Sequence, residues 1–295
     1  MSSGGDRLLL LAINVRTLAA VSEPPTAGIT IWTTFLFVVS VFNLCAWVFV
    51  AASLVRSRPS LSPSLYAVRR RQLILSALFV VGCAFRSIFP RADVQRICFH
   101  DSWLSSVAVG RSVASVAEVA FIAQWALLLR EAAQRVGARW VIRAARLLVP
   151  LIVIAELFSW YAVLTTNYFG NVLEESTWTL ASALVLLSFV QLWFRFAGRL
   201  RGFLGTSLFL LSAYFVFMFA IEVPMYVSRH RVDTENGRGY LTPAQGLRDS
   251  ALRRVVTRDW NDWKGEIPWM SLYFSTGVWV SLSLVRAPDF SNARS

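Results

Sequence analysis

The sequence predicts an all-α polytopic membrane protein, organised as a bundle of seven transmembrane helices. Of its 295 residues, 56% are hydrophobic and only 16% are charged, whereas a soluble domain carries roughly 25% charged residues. The hydrophobic residues are concentrated in blocks of about 20, the length that an α-helix needs to cross a bilayer. Composition and block length together therefore exclude a soluble globular domain.

Seven apolar blocks define the predicted helices, and polar stretches separate them. The predicted spans are residues 29–55, 72–89, 103–130, 147–166, 178–197, 203–227 and 269–285. The basic stretch at 130–146 is predicted to form a helix along the membrane surface, and residues 167–177 are predicted as a connection.

The remaining segments flank or interrupt this membrane domain, which covers residues 29–286. Residues 1–28 are predicted to form an amphipathic or loosely ordered lead-in, and a cleaved targeting peptide is the alternative. Residues 228–268 are predicted as a non-cytoplasmic loop, of which 228–248 has the composition of a flexible segment. Residues 287–295 form the predicted C-terminal tail.

The formal net charge of +12 reports membrane orientation, because most arginines lie in short loops between apolar blocks. The loops after spans one, three and five are rich in arginine, and those after spans two and four are balanced or acidic. The positive-inside rule then predicts a cytoplasmic C-terminus and a non-cytoplasmic N-terminus. Because topology accounts for these basic loops, we expect membrane lipids and no nucleic acid as partners.

The third span carries two opposite charges inside its apolar run. Arg111 and Glu118 are seven residues apart, nearly two helical turns, so both project from one face, with Ser115 close to the same stripe. An ionised side chain at the bilayer centre costs about 2.5–3.5 kcal/mol on insertion scales, so such residues normally face a protein interior or a wet cavity. This helix is therefore predicted to line a polar site.

Other ionisable residues are predicted to gather in the same half of the bundle. Glu118 and Glu156 fall near the midplane at about 1.5 Å of rise per residue, and Arg111 lies further out. The residues predicted in or near the outer layer are Arg86, His100, Asp101, Glu174, Glu175 and Glu222. The sequence thus predicts a water-accessible cavity open to the non-cytoplasmic side.

Three functions from different classes are compatible with such a site. In the first, a membrane enzyme acts on a lipid or isoprenoid-like substrate, with Glu118 and Glu156 as catalytic acid and base. Its substrate-binding candidates are Arg86 and Arg111, which would hold an anionic head group, and Asp101, His100, Glu222 and Glu175. The second is a small-solute transporter or seven-helix receptor, and the third is an accessory subunit whose charges pair with a partner membrane subunit. A purely structural ion pair that fixes helix register is the remaining alternative.

Three tryptophans near the last span allow two interpretations. Trp260, Trp263 and Trp269 alternate with acidic residues at a spacing that would place them on one face of a short helix. An interfacial aromatic belt is the ordinary interpretation. The alternative is a lid over the outer cavity.

Several kinds of chemistry are excluded by residue counts. Two histidines, His100 and His230, are too few for a three-histidine zinc site, although a mixed site with Asp101 and a glutamate remains an alternative. The only lysine, Lys264, lies at the edge of the last span, so a retinal Schiff base is not expected. Nucleotide-binding and hydrolase motifs are missing, and the sequence identifies no cofactor.

Overall fold

The computed structural model describes residues 27–290, and the protein is nearly all helical, at 82%. The helices of this part are α1 (Ala27–Arg56), α2 (Pro63–Ile88), α3 (Val107–Val136), α4 (Arg139–Thr165), α5 (Tyr168–Trp193), α6 (Gly198–Phe217), α7 (Val223–Glu235), α8 (Pro243–Leu252), α9 (Trp260–Trp263), α10 (Ile267–Leu272) and α11 (Val278–Val285). Two π-helical turns join α6 to α7 (Met218–Glu222) and α10 to α11 (Tyr273–Gly277). The predicted lead-in, up to residue 26, lies outside the described residues.

Six helices are long and apolar enough to cross a membrane. They are α1 to α5 and the continuous helical run Leu200–Glu235, which contains most of α6 and all of α7. The multi-pass membrane architecture is therefore confirmed. The seventh predicted span is helical over 267–285, but it is not among the six, so the count of seven is not confirmed.

Two predicted connections are wrong because the flanking helices extend through them. Gly137, with φ of 67°, forms a tight left-handed turn between α3 and α4, so the stretch around it belongs to these two helices and not to a surface helix. Asn167 caps the N-terminus of α5 through its side chain, and α5 begins ten residues before the predicted span. Glu174 and Glu175 are consequently residues of a helix and not of a connecting loop.

Small residues allow the central helices to pack closely. A side chain at Gly82 of α2 would collide with Ala117 of α3, so these two helices meet there almost backbone to backbone. Large apolar residues of α1 instead remain exposed and face outward, as expected for a lipid-facing helix. They include Ile31, Phe35, Phe42, Val48 and Phe49.

Buried polar side chains hold the last helices against the bundle. Gln124 of α3 donates to the backbone of Gln72 and of Ser281, and the Ser281 hydroxyl donates back to Gln124 at 2.6 Å. The π-helical turn after α10 frees a backbone carbonyl at Phe274, and Asn43 of α1 donates to it at 2.8 Å. These bonds satisfy polar groups that the membrane interior cannot hydrate.

Part of the predicted C-terminal tail also packs against the protein. Ala287 and Phe290 are buried, and Arg69 donates to the backbone carbonyl of Pro288 at 3.0 Å. Residues 291–295 lie outside the described part of the chain. The tail prediction therefore needs correction for residues 287–290.

A polar cap, formed by residues 89–106 and 228–266, covers one end of the bundle. A three-stranded sheet joins its two parts, with β1 (Arg91–Ala92) antiparallel to β2 (Ile97–Cys98) and β2 parallel to β3 (Val255–Val256). The flexible loop predicted at 228–248 is wrong, because α7 and α8 occupy most of it and a capping box at Thr242 begins α8.

Arg96 ties this polar cap to the bundle. Its guanidinium is 2% exposed and donates to Asp249 at 2.7 Å, to the Asp93 carbonyl at 2.8 Å and to the Val163 carbonyl of α4 at 2.7 Å. The Val163 carbonyl lies in the last turn of α4, where carbonyls lack intrahelical partners. One buried arginine therefore connects the two parts of the cap to the end of a membrane helix.

The three tryptophans do not share one face. Trp263 is fully buried, packs on Trp32 at 5.6 Å between ring centroids, and donates to the Thr257 carbonyl. Trp269 donates to Glu266 at 2.6 Å, whereas Trp260 is 40% exposed. The prediction that the three tryptophans share one face is wrong, because α9 is only four residues long. Trp263 is a core residue and not part of an aromatic belt.

Replacing Gly246 tests the close packing of α8 against the end of α4. A methyl group at this position would meet the backbone of Leu164, whereas a methyl group at Gly239 would meet nothing within 4 Å. We expect Gly246→Ala to lower the free energy of unfolding by about 1–3 kcal/mol, although alanine favours helix. Thermal unfolding in detergent measures the change, and Gly239→Ala is the control. Equal melting temperatures for both variants would contradict this packing.

Candidate functional site

The buried charges of the bundle converge on one guanidinium. Arg111, on α3, forms ion pairs through Nη2 with Glu156 of α4 at 2.6 Å, with Glu118 of α3 at 3.5 Å and with Glu174 of α5 at 3.5 Å. The four side chains are between 6% and 15% exposed. Three neighbouring helices are therefore joined at one point, which we call the carboxylate cluster (Arg111, Glu118, Glu156 and Glu174).

Neutral side chains orient two of these carboxylates. The Ser115 hydroxyl donates to Glu156 Oε2 at 2.6 Å, and the Trp160 indole donates to the Ser115 oxygen at 3.1 Å. Asn171 donates to Glu174 Oε2 at 3.0 Å. Ser115 and Asn171 lie one turn from Arg111 and Glu174 on their helices, so both reach the same level of the bundle.

The cluster lies inside the bundle, below the polar cap. At 1.5 Å of rise per residue, Arg111 is about 6 Å and Glu118 about 16 Å from the start of α3. Glu174 is about 9 Å from the start of α5, and Glu156 about 13 Å from the end of α4. These helix ends all adjoin the cap, so the cluster occupies the half of the bundle nearest to it.

Charge is unbalanced in this cluster. One guanidinium faces three carboxylates, which gives a formal charge of −2 when all are ionised. Glu156 Oε1 is buried and has no hydrogen-bond partner among the described residues when all the carboxyls are ionised. Glu118 lies close enough to donate to Glu156 when Glu118 is protonated. Because an isolated buried charge is costly, the cluster requires protons or a cation to offset the surplus carboxylates.

Aromatic side chains surround the same region. The Tyr273 hydroxyl is buried, lacks a hydrogen-bond partner among the described residues, and lies within electrostatic range of Glu118 and Glu156. Phe121, one turn from Glu118, stacks on Phe79 at 4.4 Å between ring centroids, and Phe79 packs edge-on against Tyr273. Aromatic rings next to carboxylates are the groups that bind organic cations.

Two of the predicted binding residues lie beside the cluster and are not ion-paired to it. Glu175, next to Glu174, is half-buried and lies within electrostatic range of Glu174 and Glu222. Glu222 is half-buried in the π-helical turn after α6 and lies within electrostatic range of Glu266 and Arg229. Their binding roles stay predictions.

The structure does not bring His100 and Asp101 to the carboxylate cluster. Asp101 is 76% exposed and pairs with Arg254 at 3.2 Å. His100 lies against Phe89 and Phe99, where burial and the positive charge of Arg258 lower its pKa. Both residues belong to the surface of the polar cap.

A metal is a poor fit to this arrangement. Among the described residues, only Glu118, Glu156 and Glu174 bring three metal-binding atoms within 4.8 Å of one another, so a mixed site built on His100, Asp101 and His230 does not assemble. Carboxylate oxygens suit Ca²⁺ or Mg²⁺. The Arg111 guanidinium, however, already bonds to all three carboxylates and would repel a divalent ion.

A second group of charges lies in the polar cap, on the side that faces α3. Arg91 donates to Asp93 at 2.8 Å and to the Ser106 carbonyl at 2.5 Å, and its burial lowers its pKa to about 10. Burial opposes ionisation of Asp93, but Arg91, Arg86 and Arg111 outweigh it and hold the pKa of that carboxyl below its ordinary value. Sequence reasoning missed this group because a short loop brings Arg91 and Asp93 back against α3.

The fold and the site define the class of the protein, which is a helical multi-pass integral membrane protein with charged residues buried inside its bundle. Comparisons with protein-family models, with curated proteins and with solved structures gave no significant match.

Removing Arg111 and Glu156 separately and together tests the cluster. We expect Arg111→Gln alone to lower the free energy of unfolding by about 3–5 kcal/mol, because it leaves three buried carboxylates without their cation. Glu156→Gln alone should cost less, because Glu118 and Glu174 still pair with Arg111. The double variant should lose less than the sum, by about 1–3 kcal/mol. Denaturation in detergent measures the coupling. The exposed pair Arg231 and Glu235 is the control, with a coupling below about 0.5 kcal/mol, and additive losses at the buried pair would contradict the contact.

Asp93 should make stability depend on pH on the acid side. Because its folded pKa is depressed, its ionised form stabilises the protein above the ordinary value of 3.8, and this contribution is lost as pH falls through the folded pKa. We expect Asp93→Asn to unfold at a lower temperature than the wild type at pH 7, and this difference to narrow at pH 3. Asp101→Asn, at an exposed position, is the control. A difference that stays constant with pH would contradict the assignment.

Proposed function

We propose that this protein is a membrane transporter for a small solute that carries a cationic amino group, which binds at the carboxylate cluster. One observation carries the proposal: three buried carboxylates from three helices share a single guanidinium, and Glu156 Oε1 has no donor among the described residues when all three are ionised. A protonated amine supplies one positive charge and a hydrogen-bond donor for Glu156, and one proton on the cluster offsets the second surplus carboxylate. In the absence of solute, protons take its place.

The surroundings of the cluster support an organic cation over a bare ion. Tyr273 presents a buried hydroxyl near Glu118, and Phe79 and Phe121 provide apolar ring surface next to it. Cation–π contacts in a dry site contribute up to about 2 kcal/mol. A metal ion would gain less from these rings, and a divalent ion would be repelled by the Arg111 guanidinium more strongly than a monovalent ammonium group.

The π-helical turns support transport over a rigid structural pairing. Pro224 follows the first turn and cannot complete the ordinary hydrogen-bond pattern of an α-helix. The second turn contains Tyr273, whose ring contacts the residues beside the cluster. π-Helical turns are frequent at functional sites, and a turn of this kind next to a buried polar site gives a membrane helix a place to bend.

The other functional hypotheses have weaker support. An enzyme that holds an anionic lipid head group at Arg111 would need net positive charge there, whereas surplus carboxylates already surround this arginine. An accessory subunit would direct its intramembrane charges outward to a partner, whereas the charges of the cluster are buried between helices of the same chain. A receptor would use the same binding site without moving its ligand across the membrane.

We also propose that residues 267–285 form a seventh span and that the polar cap lies on the non-cytoplasmic side. The arginines that follow α1, α3 and α5 support this orientation, because all three connections lie at the end of the bundle opposite to the cap. The burial of Phe274, Val278 and Leu282 against α1 and α2 supports the seventh span. The N-terminus would then be non-cytoplasmic and the C-terminus cytoplasmic.

Binding of a simple aromatic amine tests the proposed site. With the protein in phosphatidylcholine nanodiscs, we expect phenethylamine to raise the melting temperature of the wild type at pH 8 and to do so less at pH 5, where protons compete for the carboxylates. Glu156→Gln should abolish the shift. In proteoliposomes, the wild type should take up labelled phenethylamine, and Glu156→Gln should not.

Glu235→Gln is the matched control, since Glu235 is an exposed glutamate on α7. It should bind and transport as the wild type does. An amine site at the cluster would be refuted if phenethylamine raised the melting temperature of the Glu156 variant as much as that of the wild type, or if it raised neither. Binding without uptake would favour the receptor.

A further inference from the structure

Arg86 is a buried cation without a carboxylate partner in the described part of the chain. It is 7% exposed and lies in the last turn of α2. Its contact with the Arg91 carbonyl is long, at 3.5 Å, and its Nε atom is buried without an acceptor. A guanidinium in such surroundings normally has an anion beside it, because unpaired buried charge is strongly unfavourable.

A second guanidinium lies next to it. Arg91 is 1% exposed, and its Nη2 atom is also buried without an acceptor among the described residues. Its guanidinium lies against Gly110 of α3, where any side chain would overlap it. Asp93 is ion-paired to Arg91, and Arg86 lies within electrostatic range of it without an ion pair. Two guanidiniums and one carboxylate therefore leave a formal charge of +1.

The helix register places Arg86 at the level of the carboxylate cluster. The close contact between Gly82 and Ala117 sets α2 against α3, which run antiparallel. Arg86 is four residues beyond Gly82 and is therefore level with residues about four before Ala117, close to Arg111 and Ser115. Cys83, one turn from Arg86, lies within electrostatic range of both Arg86 and Glu118. Opposite surplus charges thus lie side by side on adjacent helices.

We propose that Arg86 and Arg91 form an anion subsite and that the solute is a zwitterion. Its ammonium group binds to the carboxylate cluster, and its oxyanion accepts hydrogen bonds from Arg86 and Arg91. This inference rests on the proposed function, because it uses the amine site at Glu156. The anion subsite carries one surplus positive charge, which a carboxylate or a phosphodiester monoanion neutralises. A free α-amino acid and the head group of an ethanolamine lipid both have this chemistry.

A matched set of three ligands tests the inference. Phenylalanine carries both charges, phenethylamine only the ammonium group and 3-phenylpropionate only the carboxylate. Melting temperature and equilibrium binding are measured with the protein in phosphatidylcholine nanodiscs, which contain no ethanolamine lipid. We expect phenylalanine to bind the wild type at least about tenfold more tightly than either half, the effect of one additional charge-assisted hydrogen bond.

Two variants divide the site into its halves. Arg86→Gln should lower the affinity for phenylalanine to that for phenethylamine, and it should leave the binding of phenethylamine unchanged. Arg86→Lys should restore part of the lost affinity because it retains the charge. Glu156→Gln should weaken the binding of phenylalanine and of phenethylamine to the same extent. Arg70→Gln, at an exposed arginine on the same helix, is the control for folding and binding.

The outcomes separate the two proposals. If phenethylamine binds and depends on Glu156, but phenylalanine is no tighter or is unaffected by Arg86→Gln, the anion subsite is refuted and the amine site stands. If neither amine binds, both proposals fail. Nanodiscs that contain phosphatidylethanolamine distinguish the sources: inhibition of phenylalanine binding that Arg86→Gln relieves would assign the subsite to the lipid head group and refute a soluble amino acid as the solute.

Discussion

The contact between Arg111 and three glutamates is the constraint on which the arrangement of the central helices depends. Its partners come from α3, α4 and α5, so one guanidinium fixes the relative rotation and depth of three membrane helices. A shift of one helix by a single residue would separate charges that the surrounding membrane cannot solvate. The same contact leaves carboxylate charge in surplus. A group that only fixed helix register would need one acid for one base.

The polar cap covers the end of the bundle nearest to the carboxylate cluster. Arg96 joins residues 93, 163 and 249, so the cap is held to the end of α4 by hydrogen bonds to backbone as well as to a carboxylate. Gly246 allows α8 to approach that helix end closely. A cap built in this way protects the cluster from bulk water while its own surface, with Asp101 and Arg254, remains hydrated.

The spacing of residues within single helices was enough to predict part of the site. Arg111, Ser115 and Glu118 share a face by helical geometry alone, and Glu156 followed from its depth in the next span. Glu175 was predicted as a binding residue in place of Glu174. Hydropathy places the start of α5 ten residues too late, at Trp178, so helical geometry could not be used to choose between the two adjacent carboxylates. Hydropathy finds the apolar centre of a helix, but a capping residue such as Asn167 determines where the helix starts. His100 and Asp101 were placed at the site because sequence distance cannot show how the cap folds back, and Trp263 was taken for an interfacial residue for the same reason.

The separation of opposite charges on adjacent helices limits what the site can accept. An isolated monovalent cation would lower the carboxylate surplus but leave the Arg86 and Arg91 surplus buried. An isolated anion would neutralise the two arginines and leave the carboxylate surplus unchanged. A zwitterion carries no net charge into the membrane and satisfies both groups at once, so the cost of removing it from water is offset at each end by a charge already present. The helical runs α6–α7 and α10–α11, each with a π-helical turn, border the same region, where offsetting the two buried surpluses would lower the electrostatic cost of changing their packing. Binding of a zwitterion would thereby be coupled to movement of these two helices.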